Sequence, residues 1–502
     1  MKEQVDVCIV VEGTYPYVTG GVSNWVHDLI RAQRHLSFHV VALVAEQAPG
    51  HLHFTLSDNV KGLTVIALQQ ACAATSRGRP AARLIRDLEA PLARLLGRGG
   101  QADFAEVLAA LRRHPGLATR DGLMNSEPAF EMLLRIYEAT VPASSFLNYF
   151  WSWRSLTGGL FSVLLAELPR ARLYHAVSTG YAGLLMSRAV LETGRPGLLT
   201  EHGIYTNERR IEISMAEWLA EPGRGGLGIE KRRRNLRDVW LDAFVGYSRT
   251  CYECCSRIIT LYSGNQPLQL RDGAPAERLL VVPNGIDYDF YAAIPRCPRP
   301  RRPTVALIGR VVPIKDVKTC IRAAARLRER VPDVRVLLLG PTDEDPAYFE
   351  ECRAMVEHLG LGDCFEFAGR VQLRDYLGQL DALVLTSLSE AQPLVLLEGG
   401  AAGIPCVATN VGACRDIIEG RADEQPPLGP GGFVTPLADP LATAQALANL
   451  LTDPALHARC ARALQQRVRL HYNKRVIDDI YRRLYEEHSA MPDAPRAHQE
   501  AR

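Results

Sequence analysis

The sequence predicts two doubly wound α/β domains, each built on a parallel β-sheet. Short continuous apolar runs alternate with longer amphipathic segments, as buried parallel strands alternate with helical crossovers. At 502 residues the chain exceeds one ordinary hydrophobic core. Between two such α/β series lies Ala292–Pro303, in which four prolines fall within nine residues; it can be neither helix nor central strand and reads as a linker. The expected organisation is therefore a first domain over 1–296 and a second over 297–488, facing a cleft lined by the carboxyl ends of parallel strands, where α/β folds bind ligands.

In the first series the apolar runs Val5–Val11, His39–Val44, Leu63–Ala67, Leu173–Ala176, Gly197–Thr200, Ile258–Leu261 and Leu279–Val282 read as strands. An Arg-rich helical stretch over about 81–140 interrupts them as an insertion. The second series has strands at Thr304–Ile308, Val334–Leu339, Phe365–Phe367, Ala382–Leu385 and Cys406–Ala408. Residues 489–502, with Pro492 and Pro495, read as a disordered tail.

Bulk composition narrows the function classes. The net charge of +2 argues against a dedicated nucleic-acid binder. No apolar stretch approaches the roughly 18–20 residues that span a bilayer, and the acidic start Met1–Asp6 is unlike a signal peptide. Twelve cysteines show no disulfide spacing, and the cluster Cys251, Cys254, Cys255 lacks a second pair to close a zinc site. Buried thiols on a helix and a reducing, cytoplasmic location are expected. Of 58 basic residues only 6 are lysine, which makes each lysine less incidental.

The most informative run follows the strand Ala382–Leu385. Glu390 and Glu398 straddle a helix start, with Pro393 suited to the first helical turn and Glu398 about 7–8 Å further along the axis. The free amides between them, those of Leu394 and Val395 included, form an anion site. Carboxylate, anion site and carboxylate match a sugar, a diphosphate and a ribose laid end to end, although two solvated acids flanking a helix are also common. Arg310 and Lys315 follow the strand Thr304–Ile308 and supply a fork and a point charge for phosphate oxygens, or else are plain surface cations. Gly20 and Gly21 open a helix after the first strand, where a backbone can approach a ligand or simply turn. His202 closes a strand beside Gly203 and suits either ligand contact or a structural hydrogen bond. Asn284 sits in the turn Pro283–Asp287, and the following Asp287-Tyr288-Asp289 is a poor metal site. The aromatic run Phe146–Trp153 suits a core or a partner-facing patch.

Taken together these residues resemble the retaining, nucleotide-sugar-dependent glycosyltransferases of the GT-B fold, family 4. Within that family, Val11–Ser23, Thr200–Tyr205 and Ser389–Pro393 are similar to the cytosolic glycosyltransferase of Pel-type exopolysaccharide systems. The resemblance implies two Rossmann-like domains and hexosyl transfer from a UDP-linked sugar, UDP-glucose or UDP-N-acetylhexosamine, onto a growing polysaccharide without metal or cofactor. It implies that Arg310 and Lys315 hold the diphosphate, Glu398 the ribose and Glu390 the donor sugar. His202 would lie near the reacting centre, Gly20 and Gly21 would close over the phosphates, and Arg370 and Val371 would contact the base. Many relatives carry Glu-Gly-Phe-Gly where this chain has Glu390-Ala391-Gln392-Pro393, and Glu-Ala where it has Glu398-Gly399.

The implied mechanism is front-face attack by the acceptor, with departing diphosphate stabilised by Arg310, Lys315 and the helix start. Inner-membrane export proteins are the expected partners, reached by a cytoplasmic chain peripheral to the membrane. The competing readings are a nucleotide-sugar epimerase of the same architecture and a catalytically silent nucleotide-sensing scaffold of an export complex.

Overall fold

Alternate residues of the strand Thr304–Ile308 serve two different cores: Val305 and Leu307 in one apolar cluster, Ala306 and Ile308 in the other. That period of two, with both faces apolar, is the reason this segment becomes a central strand covered on both sides. The computed structural model describes residues 4–46, 50–69, 81–215, 234–298 and 302–490. The chain divides into two units.

The first unit carries a seven-stranded sheet in the order β3-β2-β1-β4-β5-β6-β7. Its strands are β1 (Val5–Glu12), β2 (Phe38–Val44), β3 (Val60–Ala67), β4 (Ala171–Ala176), β5 (Gly197–Glu201), β6 (Arg257–Thr260) and β7 (Leu279–Val281). Register is fixed at the centre, where Ile9 of β1 pairs in parallel with Val40 of β2 and His175 of β4. The strand order reverses between β1 and β4, so the carboxyl ends of these two strands form this unit's switch point.

Helices Ala82–Leu96, Gln101–Arg113, Arg120–Met124 and Glu127–Thr140 form the insertion, and Phe146–Leu165 follows it. The first buries Leu84, Ile85, Leu88, Leu92 and Leu95 at helical spacing. They join Cys8, Val10, Val41 and Leu43 from one face of the sheet in a single core. The aromatic run divides: Tyr149 and Trp153 are buried, whereas Leu147 and Trp151 are exposed. Cys251, Cys254 and Cys255 are buried free thiols at the end of the helix Leu236–Cys254.

The second unit has a six-stranded sheet in the order β10-β9-β8-β11-β12-β13. Its strands are β8 (Thr304–Ile308), β9 (Arg335–Leu339), β10 (Phe365–Gly369), β11 (Ala382–Leu385), β12 (Cys406–Thr409) and β13 (Gly432–Thr435). The order reverses between β8 and β11, which defines its switch point. Strand β13 was not expected. Glycines at 431 and 432 hide it in the sequence, yet Gly432 is needed there, because a Cβ would stand 1.8 Å from the Cys406 carbonyl oxygen.

The expected boundary at 296/297 requires correction. The second unit takes in Val281–Ile480 and Leu261–Gly264, while Tyr481 onward joins the first. The segment before the prolines is tied to the second unit by Tyr291, which hydrogen-bonds Glu398, and by Ile286, which bridges to Asn473. The final helix, Lys474–Ser489, delivers Tyr481 and Tyr485 to the first unit, where Tyr485 Oη lies 2.8 Å from His175 Nδ1. Residues 299–301 of the linker and 491–502 of the expected tail lie outside the described residues. Among the described residues no helix is long and apolar enough to cross a membrane.

Candidate active site

At the switch point of the second unit, β8 runs into Gly309-Arg310 and then a 3-10 turn, Pro313–Lys315. Asp316 adopts a left-handed conformation (φ 44°) and caps the helix Val317–Arg330 by accepting from the Thr319 amide. From the adjacent β11, Thr386 Oγ1 donates to the carbonyls of Lys315 (3.0 Å) and Asp316 (2.9 Å), which fixes the turn that presents Lys315. The Leu388 amide donates to the Ile314 carbonyl at 2.8 Å. Lys315 Nζ thereby reaches Glu390 Oε1 at 2.5 Å, and Ser387 Oγ donates to the same oxygen at 2.7 Å. The two charged side chains are only 19% and 14% exposed.

The loop carrying Glu390 is held from behind. Gly412 has φ 49°, and a Cβ there would lie 2.1 Å from the Glu390 carbonyl oxygen. The neighbouring Ala413 amide donates to the Ala391 carbonyl at 2.8 Å. Gln392 brackets the backbone of Asn284, accepting from its amide at 2.7 Å and donating to its carbonyl at 3.0 Å.

The helix begins at Leu394, not at Pro393. Pro393 occupies the preceding position with φ −74° and ψ 103°, outside helical values. The missing proline N–H therefore falls outside the helix, and the amides of Leu394 and Val395 begin its first turn without a side-chain cap or an acidic residue. Glu398 follows one turn later, half-buried, with Tyr291 Oη donating to Oε1 at 3.0 Å. Burial raises its carboxyl above the ordinary range, and the Tyr291 hydrogen bond opposes that rise.

Lys315, Glu390, Asn284 and the start of the helix bearing Glu398 are thus brought together through the loop Ser387–Pro393. Two other expected residues turn elsewhere. Arg310 Nη1 pairs with Glu344 at 2.8 Å on the surface. Arg370 Nη2 lies 3.2 Å from Asp343, both side chains 69% exposed, and Val371 packs against the apolar cluster beneath. The aspartates of Asp287-Tyr288-Asp289 are engaged in structural work: Asp287 caps the helix Tyr288–Ala292, and Asp289 pairs with Arg475.

In the first unit, Gly20 and Gly21 are exposed at the start of the helix Gly21–Ala32, and a Cβ on either would meet nothing within 4 Å. Packing does not require glycine at these positions, and the open amides leave room for a ligand backbone approach. His202 lies just past β5 with its ring 4.6 Å from that of Trp25, nearly edge-on. Its Nε2 is buried without a hydrogen-bond partner, and burial lowers its pKa to about 4, so the ring is neutral at pH 7.

Sequence reasoning missed two buried acids at these strand ends. Glu12, ending β1, accepts from the Ala182 amide at 3.2 Å and from Tyr205 Oη at 3.1 Å; burial raises its pKa. Glu201, ending β5, accepts from Tyr252 Oη, Gln269 Nε2 and the Tyr205 amide, and burial pushes its pKa up to about 7. Both had a signal, since each stands at the carboxyl end of an apolar strand and inside a run singled out above, Val11–Ser23 or Thr200–Tyr205. Among the described residues no cluster of three or more His, Cys, Asp or Glu is arranged to hold a metal ion.

Comparison with known proteins adds to this geometry. Residues 5–277 match a family described as "Domain of unknown function (DUF3492)", and residues 302–453 match "Glycosyl transferases group 1". A D-inositol 3-phosphate glycosyltransferase from Kribbella flavida is 31% identical over 322 residues, covering 60% of this chain and 69% of that protein. The enzyme of the same name from Streptomyces avermitilis is 31% identical over 203 residues, covering 37% of this chain and 42% of its own length. The chain therefore spans less than half of one relative and just over two thirds of the other. Among solved structures, Anabaena HepE in complex with UDP superposes with a TM-score of 0.56 at 14% identity, covering 96% of this chain and 100% of that one. At that identity the likeness concerns the fold.

Proposed function

The chain belongs to the group 1 glycosyltransferases, and from that membership we propose that it transfers a hexosyl unit from a UDP-linked sugar to a growing exopolysaccharide of the Pel type, with retention at the anomeric carbon. One observation carries the reading: Lys315, Glu390 and the uncapped helix start at Leu394 converge at the switch point of the second sheet. A nucleoside diphosphate sugar needs those three elements. The helix amides and the Lys315 ammonium take the diphosphate. Glu390 accepts from hydroxyls of the glycosyl group, and Glu398, oriented by Tyr291, accepts from the ribose. UDP is the nucleotide of choice because a protein of similar fold is described in complex with UDP and with UDP-glucose.

Glycosyl transfer then proceeds as diphosphate departs, with its growing charge met by Lys315 and the amides of Leu394 and Val395. Arg310 joins them once it exchanges Glu344 for phosphate, an exposed pair of small stabilising value. The acceptor hydroxyl attacks the face that the diphosphate leaves, and its proton passes to the leaving phosphate. The reading requires neither metal nor cofactor.

Export proteins of the inner membrane complete the picture as partners. The exposed apolar side chains Phe130, Leu147 and Trp151 support a contact surface outside the donor site. The test is direct: purified protein is titrated calorimetrically with UDP, UDP-glucose and UDP-N-acetylhexosamines, and the product anomer is read by NMR after incubation with polymer acceptor. Binding and transfer with the donor's configuration kept are expected. Donor epimerisation without acceptor identifies the epimerase, and binding without any turnover identifies the scaffold.

A further inference from the structure

A cavity of about 620 Å³ opens at the carboxyl ends of β1 and β2 in the first unit, and no residue of the proposed donor site lines it. Its walls come from the turn 13–18 that follows β1 and from residues 42–46 at the end of β2. The turn is held from several sides. The Gly13 amide donates to the Leu43 carbonyl at 2.9 Å, and the Thr14 carbonyl accepts from the amides of Tyr17 and Val18 at 3.0 Å. The His53 amide donates to the Pro16 carbonyl, also at 3.0 Å. Tyr15 is 1% exposed, its ring 5.3 Å from that of Phe54. One wall of the cavity is thus fixed by the protein's own bonds, as in most ligand sites.

The lining selects a class of ligand. Among the described residues it contains no lysine or arginine, and its one charged group is the carboxylate of the exposed Glu46, which repels phosphate. Tyr17 is 8% exposed, and its Oη has no hydrogen-bond partner among the described residues; Thr14 Oγ1, in the same wall, lacks one too. An aromatic ring, two unspent hydroxyls and a carboxylate around an otherwise apolar cavity suit an uncharged ring that carries hydroxyls. We propose that this cavity is a subsite for a sugar of the growing polysaccharide other than the one that reacts. The proposal rests on the function proposed above. Position supports it, because the cavity lies on the β2 side of β1, whereas the switch point of the sheet lies between β1 and β4. Open α/β sheets bind their principal ligand at the switch point, so a cavity one strand away, about 4.8 Å, suits a remote part of a long substrate. Binding energy gained there is uniform across the reaction and appears in KM.

The test uses oligosaccharides released from the cell's own exopolysaccharide by partial acid hydrolysis and separated by length, offered to the full chain as acceptors. In the parent, KM should fall as the acceptor lengthens. Tyr17→Phe and Glu46→Gln each remove one hydrogen-bonding group and should each raise KM for the longer fractions about two- to tenfold, with kcat kept. Transfer to the disaccharide and the Kd for UDP should stay within about twofold of the parent's, the worth of no more than a weak hydrogen bond. Glu46 is exposed, so its variant serves if Tyr17→Phe does not fold. A KM that ignores acceptor length, or variants that match the parent on every fraction, overturns the proposal. The two levels separate on the parent: if UDP neither binds nor supports transfer, the proposed function has failed. Calorimetry with the longest fraction then still reads the cavity. Binding weakened by Glu46→Gln keeps it as a saccharide site, and no binding removes it.

Discussion

Lys315 Nζ stands 2.5 Å from Glu390 Oε1, so the cation assigned to phosphate and the carboxylate assigned to sugar are each other's partners. Both are mostly shielded, and Ser387 steadies the carboxylate. A diphosphate must therefore share or replace Glu390 at the ammonium.

Lys315→Ala should weaken UDP binding by about 1.5–3 kcal/mol, the worth of a charge-assisted hydrogen bond, or roughly 10- to 150-fold in Kd. Glu390→Gln releases the lysine instead, and should leave UDP affinity undiminished while transfer falls. Calorimetry with each variant reads both effects; a Glu390→Gln protein that binds UDP tenfold more weakly contradicts the division of roles.

EDTA should leave UDP affinity and donor turnover unchanged, because one ammonium and a helix start meet the diphosphate charge. Turnover lost to EDTA and restored by magnesium or manganese would show a required metal.

Glu398→Ala should abolish polymer formation in cells while the protein remains folded. Its side chain is half-buried against Tyr291, and the Tyr291→Phe change should give a milder loss by freeing the carboxylate. Normal polymer yield from stably expressed Glu398→Ala protein would remove the enzyme reading.

Gly412→Ala should destabilise the chain by about 2 kcal/mol or more, since it combines a left-handed backbone with a clash against the Glu390 carbonyl. A thermal melt measures the cost, and UDP titration at low temperature should show weakened binding in the same variant. A parent-like melt would mean the loop yields freely.

The stability of the first unit should fall as pH drops below about 6.5. Burial lowers the pKa of His175 to about 3 and of His202 to about 4, so in this range the unfolded chain binds protons that the folded chain refuses. The contribution is fully present above the unfolded value and lost on acidification, on the order of 1–2 kcal/mol per histidine between pH 7 and 5. Glu201, raised to about 7, and Glu12, also raised by burial, act oppositely and stabilise the folded state towards acid. Denaturant titrations at both pH values should show a net drop that shrinks in His175→Gln; an unchanged drop would place its origin elsewhere.

Both sheets were legible because parallel strands buried on two faces read as unbroken apolar runs. The pairing of Lys315 with Glu390 was not, since it depends on a turn shaped by Thr386 and Asp316 across two strands. Arg310 and Arg370 were expected at the ligand, and what the sequence did not show is that their long exposed side chains pair with the acids Glu344 and Asp343. The boundary was misplaced because prolines mark where a chain is stiff and unpaired, whereas unit membership is set by tertiary bonds such as Tyr291 to Glu398. Strand β13 and the Gln392 bracket lacked any local signature.

Tyr485 meets His175 across 310 positions of sequence, and Tyr481 meets Thr200 across 281. During synthesis the first unit thus leaves the ribosome with Nδ1 of His175 lacking its tyrosine partner and with the places of two tyrosines unfilled. Its final consolidation waits for the closing helix to emerge, so the order of translation cannot be the order of completion. A nascent chain stalled before residue 481 should remain protease-sensitive around β4 and β5, and release of the remaining helix should end that sensitivity at once.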